Sequence, residues 1–214
     1  MKRMTLGKRI QLGLVLTGWS LAVWAGVATP ESVISTTADE VVHTLKTDKD
    51  IKNGDSAKAY ALIRDKVLPH FDFMRMTRLA MGKYWRDANA DQQQKLADGF
   101  RDLLVRTYSS SLTAFTNQTV EFRPLSMKPD DTDVTVHSEI RQPGGQPIPI
   151  DYSMYKTSFG WKVYDVSIDG VSLVTNYRSS FSSTIRQNGI DGLIKTLASQ
   201  SAHVPAKPAP RPGS

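Results

Sequence analysis

The run from Trp161 to Leu173 constrains the fold of this chain more than any other feature. Its first part alternates apolar or aromatic side chains with polar ones, which is typical of a strand with one buried face. Asp169-Gly170 then indicates a tight turn, since both residue types tolerate turn backbone conformations. A second alternating run, from Ile150 to Lys156, lies across the turn signal Ser158-Phe159-Gly160. The two runs together predict an antiparallel hairpin with one apolar face.

The length of the hairpin loop predicts which residues lie opposite one another. A three-residue loop over 158–160 pairs Thr157 with Trp161. In that register one face carries three apolar or aromatic pairs, which are Met154 with Tyr164, Tyr152 with Val166, and Ile150 with Ile168. A shift by one residue would move the whole set to the other face, so the register predicts which side of the sheet is apolar. Lys156 and Lys162 pair in the same register, either as solvated lysines or as neighbours of a phosphate.

Helical periodicity dominates the chain before the strands. It predicts helices over 31–46, 56–67, 72–82 and 91–115. We expect Ser56 to cap the second helix and Asp72 the third, which ends at Gly82. The longest helix carries a broad apolar stripe made of Leu96, Phe100, Leu103, Leu104, Tyr108, Ser111, Leu112 and Phe115. A stripe of that width can face a sheet and another helix at once.

Strands take over after the longest helix. Period-two alternation predicts strands over 120–125, 134–141, 148–158 and 161–168. Two further helices are predicted on either side of Gly189: the first shows the repeat Tyr177, Phe181 and Ile185, and the second covers 190–197. Helices followed by a block of strands predict an α+β domain with an antiparallel sheet of about four strands.

Both ends of the chain differ from the domain at 29–200. Residues 1–28 show a basic start, the mostly apolar stretch 10–25 and then small residues, a pattern typical of a secretory signal peptide cut after Ala25 or Ala28. The alternative is a retained membrane anchor, although the apolar stretch is shorter than the about 20 residues that a span needs. The Pro-rich segment 201–214 is predicted to be a disordered tail.

The basic excess of the chain belongs mostly to its ends. The full chain has 27 basic and 21 acidic residues. Four basic residues lie in the signal peptide and two in the tail, which leaves 27 − 4 − 2 = 21 basic residues against 21 acidic ones in the domain. A domain that binds nucleic acid would need a surplus of basic residues, so we do not expect this domain to bind nucleic acid. The stretch 58–86 is locally basic, either as a solvated helix face or as a docking face for an acidic partner or an anionic membrane.

The chain offers little for catalysis or metal binding. It has no cysteine, and the nucleophile-elbow, zinc-helix, P-loop and dinucleotide-turn motifs are absent from its sequence. Its four histidines are scattered, so we expect no metal site. Asp165 and Asp169 could be an acid/base pair, but a polar strand position and a turn explain them better. We therefore predict no catalytic residue and an apolar wall suited to holding an apolar molecule.

Two stretches carry a family resemblance. The first runs from Phe71 to Arg86 and is followed by Gln93, Phe100, Leu103, Leu104 and Tyr108. The second runs from Val163 to Leu173 and is followed by Asn176-Tyr177-Arg178 and Phe181. In their order and spacing they resemble the periplasmic phospholipid-binding component of the Mla (maintenance of lipid asymmetry) transport system, also called the toluene-tolerance auxiliary family. The resemblance covers roughly 31–197.

The resemblance implies a curved sheet and helices around a deep apolar pocket that holds phospholipid acyl chains. It implies a protein in the periplasm of a Gram-negative bacterium, with phospholipid as cargo and no cofactor. It also implies two partners, an inner-membrane ABC transporter complex and an outer-membrane lipoprotein–porin complex. The predicted lipid-binding residues are Phe73, Met76, Leu79, Phe100, Leu104, Tyr108, Ile150, Tyr152, Met154, Tyr164, Val166, Ile168, Leu173 and Phe181.

The residues are also compatible with two other functions. Any one of these apolar side chains could instead belong to an ordinary filled core, as in an exported adaptor or chaperone without a ligand. An exported enzyme that modifies lipids would need a nucleophile, for which Ser172 or Asp165 would be the forced choice.

Overall fold

Helices pack against one face of an antiparallel sheet in the computed structural model, which describes residues 28–113 and 117–202. The helices are α1 (Pro30–Thr47), α2 (Lys49–Lys52), α3 (Ser56–Leu62), α4 (Phe73–Met81), α5 (Ala90–Thr113) and α6 (Leu173–Ala202). The strands are β1 (Thr119–Phe122), β2 (Asp133–Arg141), β3 (Ile148–Thr157), β4 (Gly160–Ile168) and β5 (Val171–Ser172). The predicted α+β class is therefore confirmed.

Some expectations lie outside the described residues. These are most of the signal peptide, the tail from 203 onward, Phe115, and the side chains of Ser111 and Leu112. Within the ranges that are described, no helix combines the length and apolarity needed to cross a membrane.

The sheet is a simple meander of five strands. Its order is β1-β2-β3-β4-β5, with every neighbouring pair antiparallel. The fifth strand was not predicted, because two residues are too few to show an alternating pattern. It follows the predicted turn, in which Asp169 and Gly170 adopt φ values of 51° and 75°. Beyond β4 the sheet is extended by one parallel bridge, from Phe71 to Val163.

The β3–β4 loop is one residue shorter than predicted. Thr157 pairs with Gly160, not with Trp161, and its hydroxyl donates to the Gly160 carbonyl at 2.7 Å. Gly160 has a φ of 111°, which favours glycine and permits the two-residue connection. Near the loop the pairing is therefore offset by one residue from the prediction. Lys156 consequently lies opposite Trp161 and not opposite Lys162.

A register shift between Ser153 and Met154 then restores the predicted pairing. Such a bulge places one additional residue on β4 and absorbs the offset. Tyr152 lies opposite Val166, and Ile150 lies opposite Ile168, as predicted. Met154 instead lies opposite Val163, so the predicted pairing of Met154 with Tyr164 is wrong.

Side chains cap the helices near the predicted positions. Asp72 caps α4 as expected, accepting from the Arg75 amide at 2.8 Å. Asp55, and not Ser56, caps α3, with its carboxylate accepting from the Lys58 amide at 3.0 Å. The predicted helix over 56–67 loses its regular hydrogen bonding after Leu62 and continues as a π-helical turn over Ile63–Val67.

The main core lies between the inner face of the sheet and helices α4, α5 and α6. Helices α5 and α6 approach closely at Gly99, where an added Cβ would stand 2.9 Å from the Leu197 Cβ. Helix α6 contains the break predicted at Gly189, whose φ of 71° is non-helical. A second, smaller apolar cluster is formed by α1, α2 and α3 through Val41, Leu45, Ile51 and Ala59.

Candidate functional site

The predicted apolar wall is part of one continuous layer, here called the apolar layer, between the sheet and the helices. Thirteen of the fourteen predicted residues belong to it. Eight are buried: Met76, Phe100, Leu104, Ile150, Met154, Val166, Leu173 and Phe181. Five are partly buried and pack against them: Phe73, Leu79, Tyr108, Tyr152 and Ile168. The fold thus brings together predicted residues from α4, α5, α6, β3 and β4.

The layer also contains residues that were not among the predicted site residues. They include Ile34, Met81, Leu96, Leu103, Val136, Trp161, Val163, Val174, Ile185, Leu193 and Leu197. Val163 and Trp161 could have been found from the correct loop length, because the shorter loop places both on the inner face. Ile34 of α1 carried no signal for this layer, since Val41 and Leu45 of the same helix belong to the second cluster.

Aromatic rings join α5 to α6 inside the apolar layer. Phe100 contacts Tyr177 and Phe181 edge to face, with ring centroids 5.1 Å apart in both pairs. Burial raises the pKa of Tyr177, and it does the same to the pKa of Tyr108 and of Tyr152. These tyrosines therefore stay neutral at physiological pH, and they bring no charge into the layer.

The few polar groups inside the layer are already hydrogen-bonded. Thr77 is fully buried and donates to the Phe73 carbonyl at 2.6 Å. Ser138 is 2% exposed and donates to the Ile150 carbonyl at 3.4 Å. In the described part of the chain, no buried side-chain nitrogen or oxygen lacks a partner. The layer therefore makes no polar demand on a molecule placed against it.

Tyr164 is the one predicted residue that lies elsewhere. Its hydroxyl donates to Asp133 at 2.7 Å on the outer side of the sheet, where its ring meets that of Tyr155. The Arg75 guanidinium stands 3.9 Å from the Tyr155 centroid and 4.1 Å from the Tyr164 centroid. The Tyr155 hydroxyl donates to Asp72, so this polar cluster ties the start of α4 to the sheet.

The pKa values in and near this polar cluster follow from burial and nearby charges. The pKa of Tyr164 is raised by burial and by its bond to Asp133, and the pKa of Tyr155 is raised by burial and by its bond to Asp72. The pKa of His70 is lowered by burial and by the neighbouring Lys162 charge. Lys162 donates to the Pro69 carbonyl, which fixes its position beside His70. This arrangement makes Lys162 a structural contact between β4 and the segment before α4.

Asp165 and Ser172, the two catalytic candidates, form hydrogen bonds at the start of α6. The Asp165 carboxylate accepts from the Ser172 hydroxyl at 2.5 Å and from the Val174 amide at 3.1 Å. The Ser172 hydroxyl oxygen in turn accepts from the Thr175 amide at 3.0 Å. Both side chains therefore cap the start of α6. A search of the described ranges for three or more clustered metal-ligating side chains finds no such group.

The open grooves of the described residues include two at the edges of the helices. One, of about 600 Å³, is lined by Arg78, Leu79, Met81, Gly82, Lys83, Tyr84, Arg178, Ser182 and Arg186. The other, of about 370 Å³, lies between α1 and the segment 65–70. The first groove meets the apolar layer at Leu79 and Met81, which both belong to that layer.

The sequence matches a family model described as MlaC protein over residues 35–199. The intermembrane phospholipid transport system binding protein MlaC of Haemophilus influenzae is 26% identical over 198 residues, covering 91% of this chain and 92% of that protein. The toluene tolerance protein ttg2D of Pseudomonas putida is 25% identical over 170 residues, covering 79% of this chain and 78% of that protein.

A solved structure has the same fold. It is a phospholipid-binding protein from Ralstonia solanacearum in complex with a phospholipid. That protein is 39% identical to this chain and superposes with a TM-score of 0.76. The match covers 82% of this chain and 98% of the other. The likeness thus extends over the helices and the sheet together.

Proposed function

Because the chain belongs to the MlaC protein family, we propose that it is a periplasmic phospholipid-binding transport protein of the Mla system. The observation that carries this proposal is its 39% identity to a protein solved in complex with a phospholipid, over nearly the whole of that protein. The apolar layer supplies a physical reason. The layer joins the sheet to three helices. In the described residues, every polar side-chain atom that is buried has a hydrogen-bond partner.

The acyl chains are proposed to lie within the apolar layer. Burying one methylene group is worth about 0.8 kcal/mol, so a diacyl lipid with about thirty of them needs a dry container to cross water. The thirteen predicted residues of the layer are the proposed contacts of the chains, and we withdraw Tyr164 because it lies on the outer side of the sheet.

The proposed route has an inner-membrane ABC transporter complex at one end and an outer-membrane lipoprotein–porin complex at the other. A cleaved signal peptide at 1–28 would deliver the protein between them. The protein would act by binding and release, without changing the lipid. That expectation agrees with the capping roles of Asp165 and Ser172.

A vesicle-to-vesicle transfer assay tests the proposal. The purified protein should move labelled phospholipid from donor to acceptor vesicles faster than spontaneous exchange. Val166→Asp should abolish transfer, because it places a carboxylate in the apolar layer. Thr135→Asp makes the same charge change on the outer face of β2 and should leave transfer unchanged. Thermal unfolding of both variants separates loss of binding from loss of folding, and transfer by a folded Val166→Asp protein at the normal rate would contradict the proposal.

A further inference from the structure

The larger groove, here called the basic groove, carries an unusual concentration of positive charge. Arg78 and Lys83 reach it from α4 and the turn that follows, while Arg178 and Arg186 reach it from α6. All four side chains are exposed, and no carboxylate of the described residues lines the groove. The domain at 29–200 has equal numbers of acidic and basic residues, so this cluster is not a consequence of its overall charge.

Four of the other five basic residues of the stretch 58–86 form ion pairs with described carboxylates. Lys58 lies 2.5 Å from Asp50, and Lys66 lies 2.9 Å from Glu40. Arg64 pairs with Asp65 at 2.7 Å. Within the described ranges, by contrast, the four cations of the basic groove form no ion pair with a carboxylate. Two of the three cations of the stretch that have no described ion pair, Arg78 and Lys83, therefore line this groove.

The groove has a defined shape, because Arg178 joins its two sides. The guanidinium Nε and Nη2 of Arg178 donate to the Leu79 carbonyl at 3.1 and 2.9 Å, which fixes α6 against the end of α4. Gly82, with a φ of 56°, then turns the chain along the edge of the groove. Several arginine side chains around one groove suit a phosphate, whose oxygens can accept several charge-assisted hydrogen bonds at once.

The floor of the groove belongs to the apolar layer. Met81 is 1% exposed and lies in the buried cluster, and Leu79 packs against that cluster from the groove side. A bound molecule whose apolar chains lie in the layer could therefore emerge from it at Leu79. Its polar group would then lie among the four cations. This arrangement of apolar and basic surface matches the structure of a phospholipid.

We propose that the basic groove binds the phosphate group of a phospholipid whose acyl chains lie in the apolar layer. This inference rests on the proposed function and adds a place for the headgroup. The groove recognises phosphate, which every glycerophospholipid carries, so it favours phospholipid over an uncharged lipid without selecting one headgroup.

Calorimetric titration of the delipidated protein with two matched ligands tests the inference. The ligands are dihexanoyl phosphatidylglycerol and dihexanoylglycerol, which share their acyl chains and differ by the phosphate-containing headgroup. The wild-type protein should bind the phospholipid about tenfold or more tightly than the diacylglycerol. Arg78→Gln combined with Arg186→Gln should remove most of this preference and leave binding of the diacylglycerol unchanged. Arg178 is kept, because it holds α6 against α4.

A matched control makes the same charge change outside the groove. Lys58→Gln combined with Arg64→Gln should retain the preference of the wild-type protein. Equal preferences in the groove variant and the wild type would overturn the inference while leaving the proposed function intact. Failure of the wild type to bind either lipid would instead overturn the proposed function, and the inference with it. Circular dichroism and thermal unfolding verify folding, and Arg186→Gln alone replaces the double variant if that protein does not fold.

Two further titrations identify the source of the phosphate. Glycerol 3-phosphate should bind the wild type much more weakly than the phospholipid, because it lacks the chains. Equal affinities would show a site for free phosphate and overturn the assignment to the carried lipid. Sedimentation with phosphatidylglycerol vesicles should give uptake of lipid into the protein. Vesicle attachment that needs the groove cations but gives no uptake would assign the groove to a bilayer surface and contradict the inference.

Discussion

At the scale of single residues, Asp165 illustrates how a carboxylate in a lipid-facing domain can be entirely structural. It accepts from the amides of Val166 and Val174, at 2.8 and 3.1 Å, and from the Ser172 hydroxyl. These bonds satisfy backbone donors where β4 gives way to β5 and α6. The carboxylate therefore fixes the direction in which α6 leaves the sheet.

Replacement of this carboxylate should lower stability without changing lipid binding. Asp165→Ala is expected to reduce the free energy of unfolding by about 1–2 kcal/mol, since it removes a helix cap and leaves its donors without that partner. Urea unfolding measures this loss, and lipid extraction measures the phospholipid retained per folded protein. Asp130→Ala, at an exposed loop position, should change neither quantity. A variant with normal stability that no longer modifies a lipid modified by the wild-type protein would instead favour an enzyme.

Tyr164 shows why one predicted position on the apolar face was wrong. Its place on the apolar face followed from strict alternation along β4, counted from a three-residue loop. The structure has a two-residue loop and a bulge, and Tyr164 lies at the bulge. The apolar positions of β4 change phase between Val163 and Val166, and this change was the signal in the sequence that could have revealed the bulge. The predicted pairings of Tyr152 with Val166 and of Ile150 with Ile168 are confirmed, because the shorter loop and the bulge cancel beyond the bulge.

At the scale of elements, the packing of α5 against α6 depends on Gly99. An added Cβ at this position would stand 2.9 Å from the Leu197 Cβ, which belongs to the root of that side chain and cannot rotate away. The two helices also meet through the Phe100, Tyr177 and Phe181 rings. Gly99 thus sets how near α5 and α6 can come, and their separation sets the volume of the layer behind them.

A larger side chain at Gly99 should force the helices apart. Gly99→Val is expected to lower the free energy of unfolding by about 1–3 kcal/mol through overpacking. Urea unfolding provides the measurement. Gln94→Val adds a β-branched residue at an exposed position of the same helix and should cost less than about 1 kcal/mol. Equal losses in the two variants would show that the Gly99 contact has no special importance.

The helices and strands were more predictable than their ends. Periodicity located the long elements, because each buries one face against the same layer. It missed the irregular end of the helix over 56–67 and the short strand β5, where backbone hydrogen bonding and not side-chain burial defines the element. The break in α6 was predictable, because only glycine adopts the φ of 71° and ψ of −177° found at Gly189 without strain.

At the scale of the whole molecule, polarity divides the sheet into two different faces. The outer face carries ion pairs such as Arg141 with Glu121 at 2.8 Å, and His137 lies 2.6 Å from Asp151. The inner face meets α4, α5 and α6 through the apolar layer. The outer face is therefore suited to contact with water, while the inner face provides the apolar surroundings that a lipid needs.

The distribution of charge is equally uneven, and sequence alone predicted only part of it. The local excess over 58–86 was visible in the sequence, but its partners were not. Folding brings Asp50, Asp65 and Glu40 to some of these cations and brings Arg178 and Arg186 to others. The basic groove could not be predicted, because its two halves lie about a hundred residues apart along the chain.

Native mass spectrometry of the protein, purified from the periplasm without detergent, tests the central claim most directly. We expect a mass above that of the processed chain, and organic extraction should resolve the excess into glycerophospholipid. The same spectrum would report how many lipids one protein holds. A bare polypeptide mass that stays unchanged after incubation with phospholipid vesicles would contradict the account of this protein as a phospholipid carrier.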